Sequence, residues 1–499
     1  MPFKKDYKST THQTPTPIIE VYLPSNASTS EPDYSFRPYT DGGAFSGLQG
    51  YNFSESVDDL DGSFSFTING EEENIFDLIP IRSVVKIYEV TDNYKFYPSF
   101  VGIIRQRKIN KQMTNTGLKK VITFSGKSII SCLVEYSISL DMRISGVADA
   151  TATNSAMLDK LEEVENMNIK SFMIETWKYF KKISDDVLKP NSEKTEKDIG
   201  GKGVATTELQ NIINRFIGED AENYIDVTGV KTKFYHPIGD AFINTGKNTI
   251  IDIWRDKLPQ MAYELFAYCD NKGNPKIKAR QVPFGDNTKN DYSDWKDLKL
   301  YPINPAILTS FDLDQNDSDV YTVFATWLIG STNDRNYFIG INNDDQEDTT
   351  VFRSEKAKTY GFRPLEINFN GYDRSYNSDP EQQKGIQEAM AELNKLAAYW
   401  YSRNDEMYSG TLTVITDFKN PENNPRIGCR ADFLGGEFYI NKTDHSWNYG
   451  GTPIIKISVS RGMIYGMNGE MTEQLKDVGK KYRELDSVSY KLKPATFNR

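Results

Sequence analysis

Three histidines, three cysteines and 70 carboxylates are the side chains from which a reactive centre in this 499-residue chain would have to be built. His12, His236 and His445 stand apart from one another and HExxH is absent, so a zinc peptidase would need ligands that the spacing does not supply. His445, close to Trp447 and between two strand signals, reads as a turn residue packing its ring edge; the functional alternative is a hydrogen bond to a neighbouring subunit. Cys132, Cys269 and Cys429 are odd in number and lack CxxC or CxH spacing. Neither a disulfide framework nor a zinc centre is indicated, and folding in a reducing cytoplasm is.

Phosphate and calcium chemistry fail on single positions. Gly126-Lys127-Ser128 has the ending of a phosphate-binding loop, but the glycine required five residues earlier is Val121. Gly200-Gly201-Lys202-Gly203 lacks a preceding strand and the rest of a dinucleotide fingerprint, so it reads as a loop. Asp312, Asp314, Asn316 and Ser318 alternate as in a calcium loop, yet the glycine position is Asp317 and the closing glutamate is Val323. An acidic solvated turn is the better account. The acidic run over 342–348 is likewise a solvated loop that could line a channel in a ring assembly. No pair of acids is singled out for glycoside or peptidoglycan cleavage. The expected set of catalytic, cofactor-binding and metal residues is therefore empty, with no cofactor and no enzyme activity.

The elements that would position any site are mostly strands. Tyr and Phe, 29 and 27 in number, supply bulky residues for half-buried sheets, and the length exceeds what one ordinary core accommodates. A net charge of -11 opposes general binding to a phosphate backbone, although repulsion suits a conduit through which a polyanion slides. No run of about twenty apolar residues occurs, so neither a signal peptide nor a membrane span is expected.

In chain order, a polar arm over 1–16 precedes a strand over 18–23 and a polar loop to about Gly50. Strands follow over 51–56, 62–69, 84–90, 97–109 and 118–126; in Ser63–Ile68 the apolar residues alternate with hydroxyls. A helix is expected from near Lys127, capped by Ser128 and carrying Ile129 and Ile130. A long one over 153–188 has Phe172, Trp177 and Phe180 as a core stripe rather than a partner surface. A polar loop over 189–203 and helices over 207–217 and 249–258, capped by Thr207 and Thr249, come next. Strands over 263–269 and 275–282 flank a turn rich in Asp, Asn and Gly. A long strand over 320–329, a helix beginning at Pro380 and a strand over 411–415 lead to a closing meander over 426–433, 437–442 and 453–461, its turns marked by Gly435-Gly436 and Gly450-Gly451.

That meander carries a family resemblance. Gly428, Phe433, Gly436, Phe438, Tyr439, Ile440, His445, Trp447, Gly450, Gly451, Arg461 and Gly462 match in order and spacing the close of the second barrel in baseplate hub proteins of contractile phage tails, tailocins and related injection systems, the late control D or tail hub-like family. The phrases over 62–68, 81–88 and 100–104 resemble the family's first barrel, and those over 307–327 and 358–368 resemble the entry to its second.

The resemblance implies an α+β fold of two tail-tube-like antiparallel β-barrels with intervening helical and small α/β segments. Its divisions are an arm over 1–16, a first barrel over 17–135, a helical insertion over 136–245, a helix-hairpin connection over 246–305, a second barrel over 306–466 with a long helix over 380–404, and a charged tail over 467–499. It further implies a homotrimeric structural hub in the baseplate of a virion or injection particle, made in the bacterial cytoplasm. Such a hub joins the hexameric tail tube to the trimeric central spike, contacts other baseplate proteins and the tape measure protein, and has no specific nucleic-acid partner. Two other classes stand beside it, a tail-associated cell-wall hydrolase and a tail-tip protein that binds host glycans.

Overall fold

The computed structural model describes residues 16–24, 31–38, 45–70, 75–89, 98–114, 117–131, 224–230, 249–270, 272–283, 293–329, 351–352, 354–370, 380–401, 404–418, 421–433 and 436–464, together with Met173, Ile174 and Trp177. Strands dominate and helices are few. The first part of the chain supplies β1 (Ile18–Tyr22), β2 (Tyr34–Arg37), β3 (Phe45–Ser46), β4 (Leu48–Ser56), β5 (Asp59–Asn69), the short helix α1 (Ile75–Leu78), β6 (Val84–Tyr88), β7 (Phe100–Thr114) and β8 (Gly117–Ser128). The middle supplies β9 (Ile225–Gly229), α2 (Ile250–Lys257), β10 (Tyr263–Cys269), β11 (Pro275–Gln281), α3 (Ser293–Lys296), β12 (Leu300–Pro302), β13 (Leu308–Asp314), β14 (Val323–Ile329), β15 (Val351–Phe352), α4 (Ser354–Tyr360), β16 (Pro364–Asn370) and α5 (Pro380–Tyr401). The close is β17 (Tyr408–Ile415), β18 (Arg430–Phe433), β19 (Gly436–Asn448) and β20 (Ile454–Ile464).

One curled sheet organises the molecule, in the order β13-β17-β20-β19-β4-β5-β8-β7-β6-β1-β2-β3, with β18 and β12 branching from β19. Alternation explains why it has two unlike faces. On β5, Phe64, Phe66 and Ile68 point into a core while Ser63, Ser65 and Thr67 point away. Two separate cores lie under the apolar side. One gathers Ile19, Phe36, Tyr51, Phe53, Phe66 and Phe124 from the early strands with Trp447 reaching in from β19, and the other gathers Leu412, Phe433, Phe438, Ile440, Ile455 and Ile457 from the late ones. Each half therefore has its own hydrophobic centre, and the backbone ladder between β4 and β19 makes the two halves one sheet.

Two small sheets flank it. The hairpin β10–β11 takes β9 as a parallel neighbour, and β14 lies between β15 and β16 with α5 packed on it through Ala397 and Ala398. Thr249 caps α2 as expected, its Oγ1 accepting from the Asp252 N–H while Asp252 accepts from the Thr249 N–H.

Several expectations are corrected. The polar loop before Gly50 contains β2, β3 and the start of β4, since Phe36 and Leu48 are buried and anchor short strands between polar residues. Lys127 and Ser128 end β8 rather than opening a helix: Gly126 allows close pairing with β7, because a Cβ there would lie 1.9 Å from the Ile103 carbonyl oxygen. The strand expected as entry to the second barrel is β14, which belongs to a flanking sheet; β13 pairs with β17 instead. His445 and Trp447 sit within β19, which continues through the expected turn. The helices expected over 153–188 and 207–217, the loop over 189–203 and the tail over 467–499 fall outside the described residues, except that Met173, Ile174 and Trp177 are helical. Trp177 is 1% exposed and meets Tyr224 edge to face, the core role expected for it.

Candidate assembly surface

Residues that looked able to do chemistry are dispersed. His12, His236, Cys132, the glycines over 200–203 and the acidic run over 342–348 lie outside the described residues. Lys127 pairs with Asp61 on the polar face of the sheet at 3.4 Å. Asp312 and Asp314 line β13, and Asn316 and Ser318 form a self-bonded turn beyond it, Asn316 Nδ2 donating to Asp314 and the Ser318 N–H donating to Asn316 Oδ1. All four are exposed. Burial pushes the Cys269 and Cys429 thiols above their ordinary range, which disfavours the thiolate a nucleophile needs. Among the described residues, no group of three or more His, Cys, Asp or Glu could hold a metal ion.

The polar residues that do converge are at the seam. On β4, Tyr51 and Glu55 face inward, and on β19 His445 stacks on Phe53 at 4.3 Å between ring centres. Glu89, just past β6, accepts from the Tyr51 hydroxyl at 3.0 Å and from Ser99 at 3.1 Å, and lies 3.1 Å from His445 Nδ1. Burial acts to raise the Glu89 carboxyl, but His445 and the two hydroxyl donors hold it below its ordinary range. Glu55 differs: burial pushes it up to about 7 against the pull of Arg426 and His445. The same burial that strengthens Glu89's bonds leaves Glu55 under-served.

A second convergence ties the hairpin to the late strands. Arg280 of β11 donates through Nε to Glu264 at 2.7 Å and through Nη2 to the Gly428 carbonyl and the Tyr439 hydroxyl, while Tyr439 donates to Glu264 at 2.6 Å. Nearby, Arg430 pairs with Glu437, which also accepts from Trp295 Nε1. These are buried charges partnered by one another, an arrangement that fixes geometry. Sequence reasoning missed them because their members lie up to 175 residues apart.

The remaining feature is the sheet's outward face. Across β7, β8, β5, β4, β19, β20, β17 and β13 it presents mainly Ser, Thr and Asn, for example Ser54 opposite Ser63, Thr67 opposite Thr123 and Thr411 opposite Ser458. Its charged residues include the pairs Lys127 with Asp61 and Lys442 with Asp444, together with Lys108, Lys456, Asp312 and Asp314. Among the described residues, β13 pairs only with β17, and β6 pairs with β7 only as far as Ile103, which leaves both ends of this eight-strand span without a further described partner. Past that point Lys108, Ile109, Lys111 and Met113 are exposed, Met113 by 80%.

No family model matches this chain, and no curated protein does. Its structural neighbours are phage tail proteins and type VI secretion components. It is similar to the 43 kDa tail protein of prophage MuSo2 from Shewanella oneidensis, at 11% identity and a TM-score of 0.42, over 90% of this chain and 98% of that one. The tail protein from Neisseria meningitidis MC58 is similar at 9% identity and a TM-score of 0.43, over 92% and 99%. An E. coli type VI secretion component, described as structurally similar to the T4 bacteriophage tail proteins gp27 and gp5, is similar at 7% identity and a TM-score of 0.37, over 83% and 73%. Likenesses of this strength carry no weight for mechanism, which rests on the chain's own geometry.

Proposed function

We propose that this chain is a structural hub of a contractile tail baseplate, a homotrimeric adaptor between the hexameric tail tube and the trimeric central spike, without catalytic activity. The units over 17–135 and 306–466 take the places of two tube-like barrels, so that three copies offer six similar units to a sixfold tube and true threefold symmetry to a spike. The observation that carries this reading is the composite sheet, in which β13, β17, β20 and β19 from one half and β4, β5, β8 and β7 from the other follow one another without a break.

Strand parity favours a ring. Every neighbouring pair in that span is antiparallel, and the number of strands is even, so β13 and β7 run in opposite directions. A second copy rotated about an axis along the strands can lay its β13 beside β7 and continue the alternation. The two edges also match by face. Lys108 shares the polar face with Asp312 and Asp314 of the incoming strand, and Ile109 and Met113 share the other face with Phe311 and Leu313. In the closed ring the hydroxyl-rich face lines the lumen.

Native mass spectrometry of the purified full-length chain tests the reading. Three copies per particle, seen as a ring with a central channel by electron microscopy, are expected; a persistent monomer at tens of micromolar that clears a cell-wall suspension would overturn it.

A further inference from the structure

The loop after α4 holds a bulky apolar ring out in water. Gly361, at a φ of 73°, ends the helix by donating its N–H to the Ala357 carbonyl, and Phe362 follows it 76% exposed. The backbone around that ring is fixed. Thr322 Oγ1 donates to the Gly361 carbonyl and accepts from the Arg363 N–H, each at 2.9 Å, while Arg363 Nη1 donates to the Asp317 carbonyl at 2.8 Å. A large aromatic presented on a backbone already ordered in the single chain has the character of an interface anchor, because little freedom remains to be lost when it is covered.

The early half carries a patch of matching character. Leu78 and Ile81 are 49% and 47% exposed, and Pro80 between them is exposed as well. Their segment is held just as firmly: Arg107 Nη1 donates to the Phe76 and Ile79 carbonyls, and the Arg82 N–H donates to the Ile104 carbonyl with Arg82 itself at a φ of 77°. The two places differ in the sign of their charge. The turn that Arg363 grips carries Asp317 and Asp319, both exposed, whereas Arg82, Arg107 and Lys108 outnumber Asp77 beside Leu78 and Ile81.

We propose that Phe362 is the anchor by which one copy of this chain docks on the next, its ring seated against Leu78 and Ile81 of the neighbouring copy with Asp317 and Asp319 turned towards Arg82. The inference rests on the ring reading above and goes beyond it, because neither place belongs to the paired strand edges. Strand direction brings the two together. With β13 laid antiparallel along β7 and Asp312 across from Lys108, Asp314 comes across from Gln106, so the turn that follows lies at Ile104 and Ile103, where β6 takes over the edge and Arg82 is bonded. Arg363 ties the Phe362 loop to that same turn. An anchor at the end of the pairing also fixes its register, which backbone bonds between two edges leave weakly specified.

Sedimentation of the full-length chain across concentration tests the anchor, with the far-ultraviolet circular dichroism spectrum as the check on folding. Phe362→Ser and Ile81→Ser should each weaken self-association by roughly thirtyfold and leave the spectrum unchanged. The double variant should be no weaker than the worse single one. A wild-type oligomer that survives Phe362→Ser to within about threefold, or losses that multiply in the double variant, overturns the anchor and leaves the ring reading standing. A wild type that stays monomeric at tens of micromolar overturns both. If a serine variant does not fold, oxidation of the chain carrying both Phe362→Cys and Ile81→Cys decides: covalent species of two or more chains that neither single cysteine variant forms support the contact, and their absence overturns it.

Discussion

A carboxylate shielded from water must be given donors or a proton; burial raises Glu55, while donors hold Glu89 below its ordinary range. Glu437 has donors, Arg430 and Trp295. Removing the cation by Arg430→Ala leaves that carboxylate uncompensated and should cost about 3–5 kcal/mol in urea unfolding. Glu89 likewise depends on its donors, and because it is held low, the stability it supplies is present above the ordinary carboxylate range and lost as pH falls through its folded value. Melting temperatures over about pH 3–6 should therefore fall less steeply for Glu89→Gln than for the wild type. Glycines sort by the same local reasoning. Gly126→Ala drives a methyl into the Ile103 carbonyl and the Phe64 ring and should cost about 3 kcal/mol or more, whereas Gly450→Ala meets nothing within 4 Å and should cost about 1–2 kcal/mol for its positive φ alone.

At the level of elements, periodicity and turn chemistry were enough for β4, β5, β10, β11 and α2. Each carries its own evidence, such as the alternation around Phe64 and Phe66 or the Thr249–Asp252 capping box. Where the fold was illegible, the information lay outside the segment. β9 is only five residues long and is held as a strand by the edge that β11 offers it, and β19 runs through His445 because β4 pairs with it there. The assembly surface was half legible: hydroxyl alternation was visible in Ser63–Thr67, but nothing in the linear order told that Ser54 and Asp444 would share that face with it. Deleting 435–462 removes β19 and most of β20, and with them the ladder joining the halves. The truncated chain is expected not to enter particles; its recovery in intact ones would contradict the account.

For the molecule as a whole, the prediction concerns how copies recognise one another. If β7 of one copy lies beside β13 of the next, reversing a charge on either edge should weaken association by roughly fivefold, and reversing both should restore it. Lys108→Glu and Asp312→Lys, alone and together, followed by sedimentation against concentration, make the cycle. Additive losses in the double variant would place the contact elsewhere.

The pairing of β4 with β19 also sets the timetable of synthesis. Glu89 and His445 meet although they are 356 positions apart, so the early half leaves the ribosome about 20–70 s before the strand that completes its edge has been made. Throughout that interval the open ladder of β4 is a template for any other nascent chain nearby. Yield in the host should accordingly depend on holding chaperones and on translation speed through the middle of the message more than on the final stability of the folded chain.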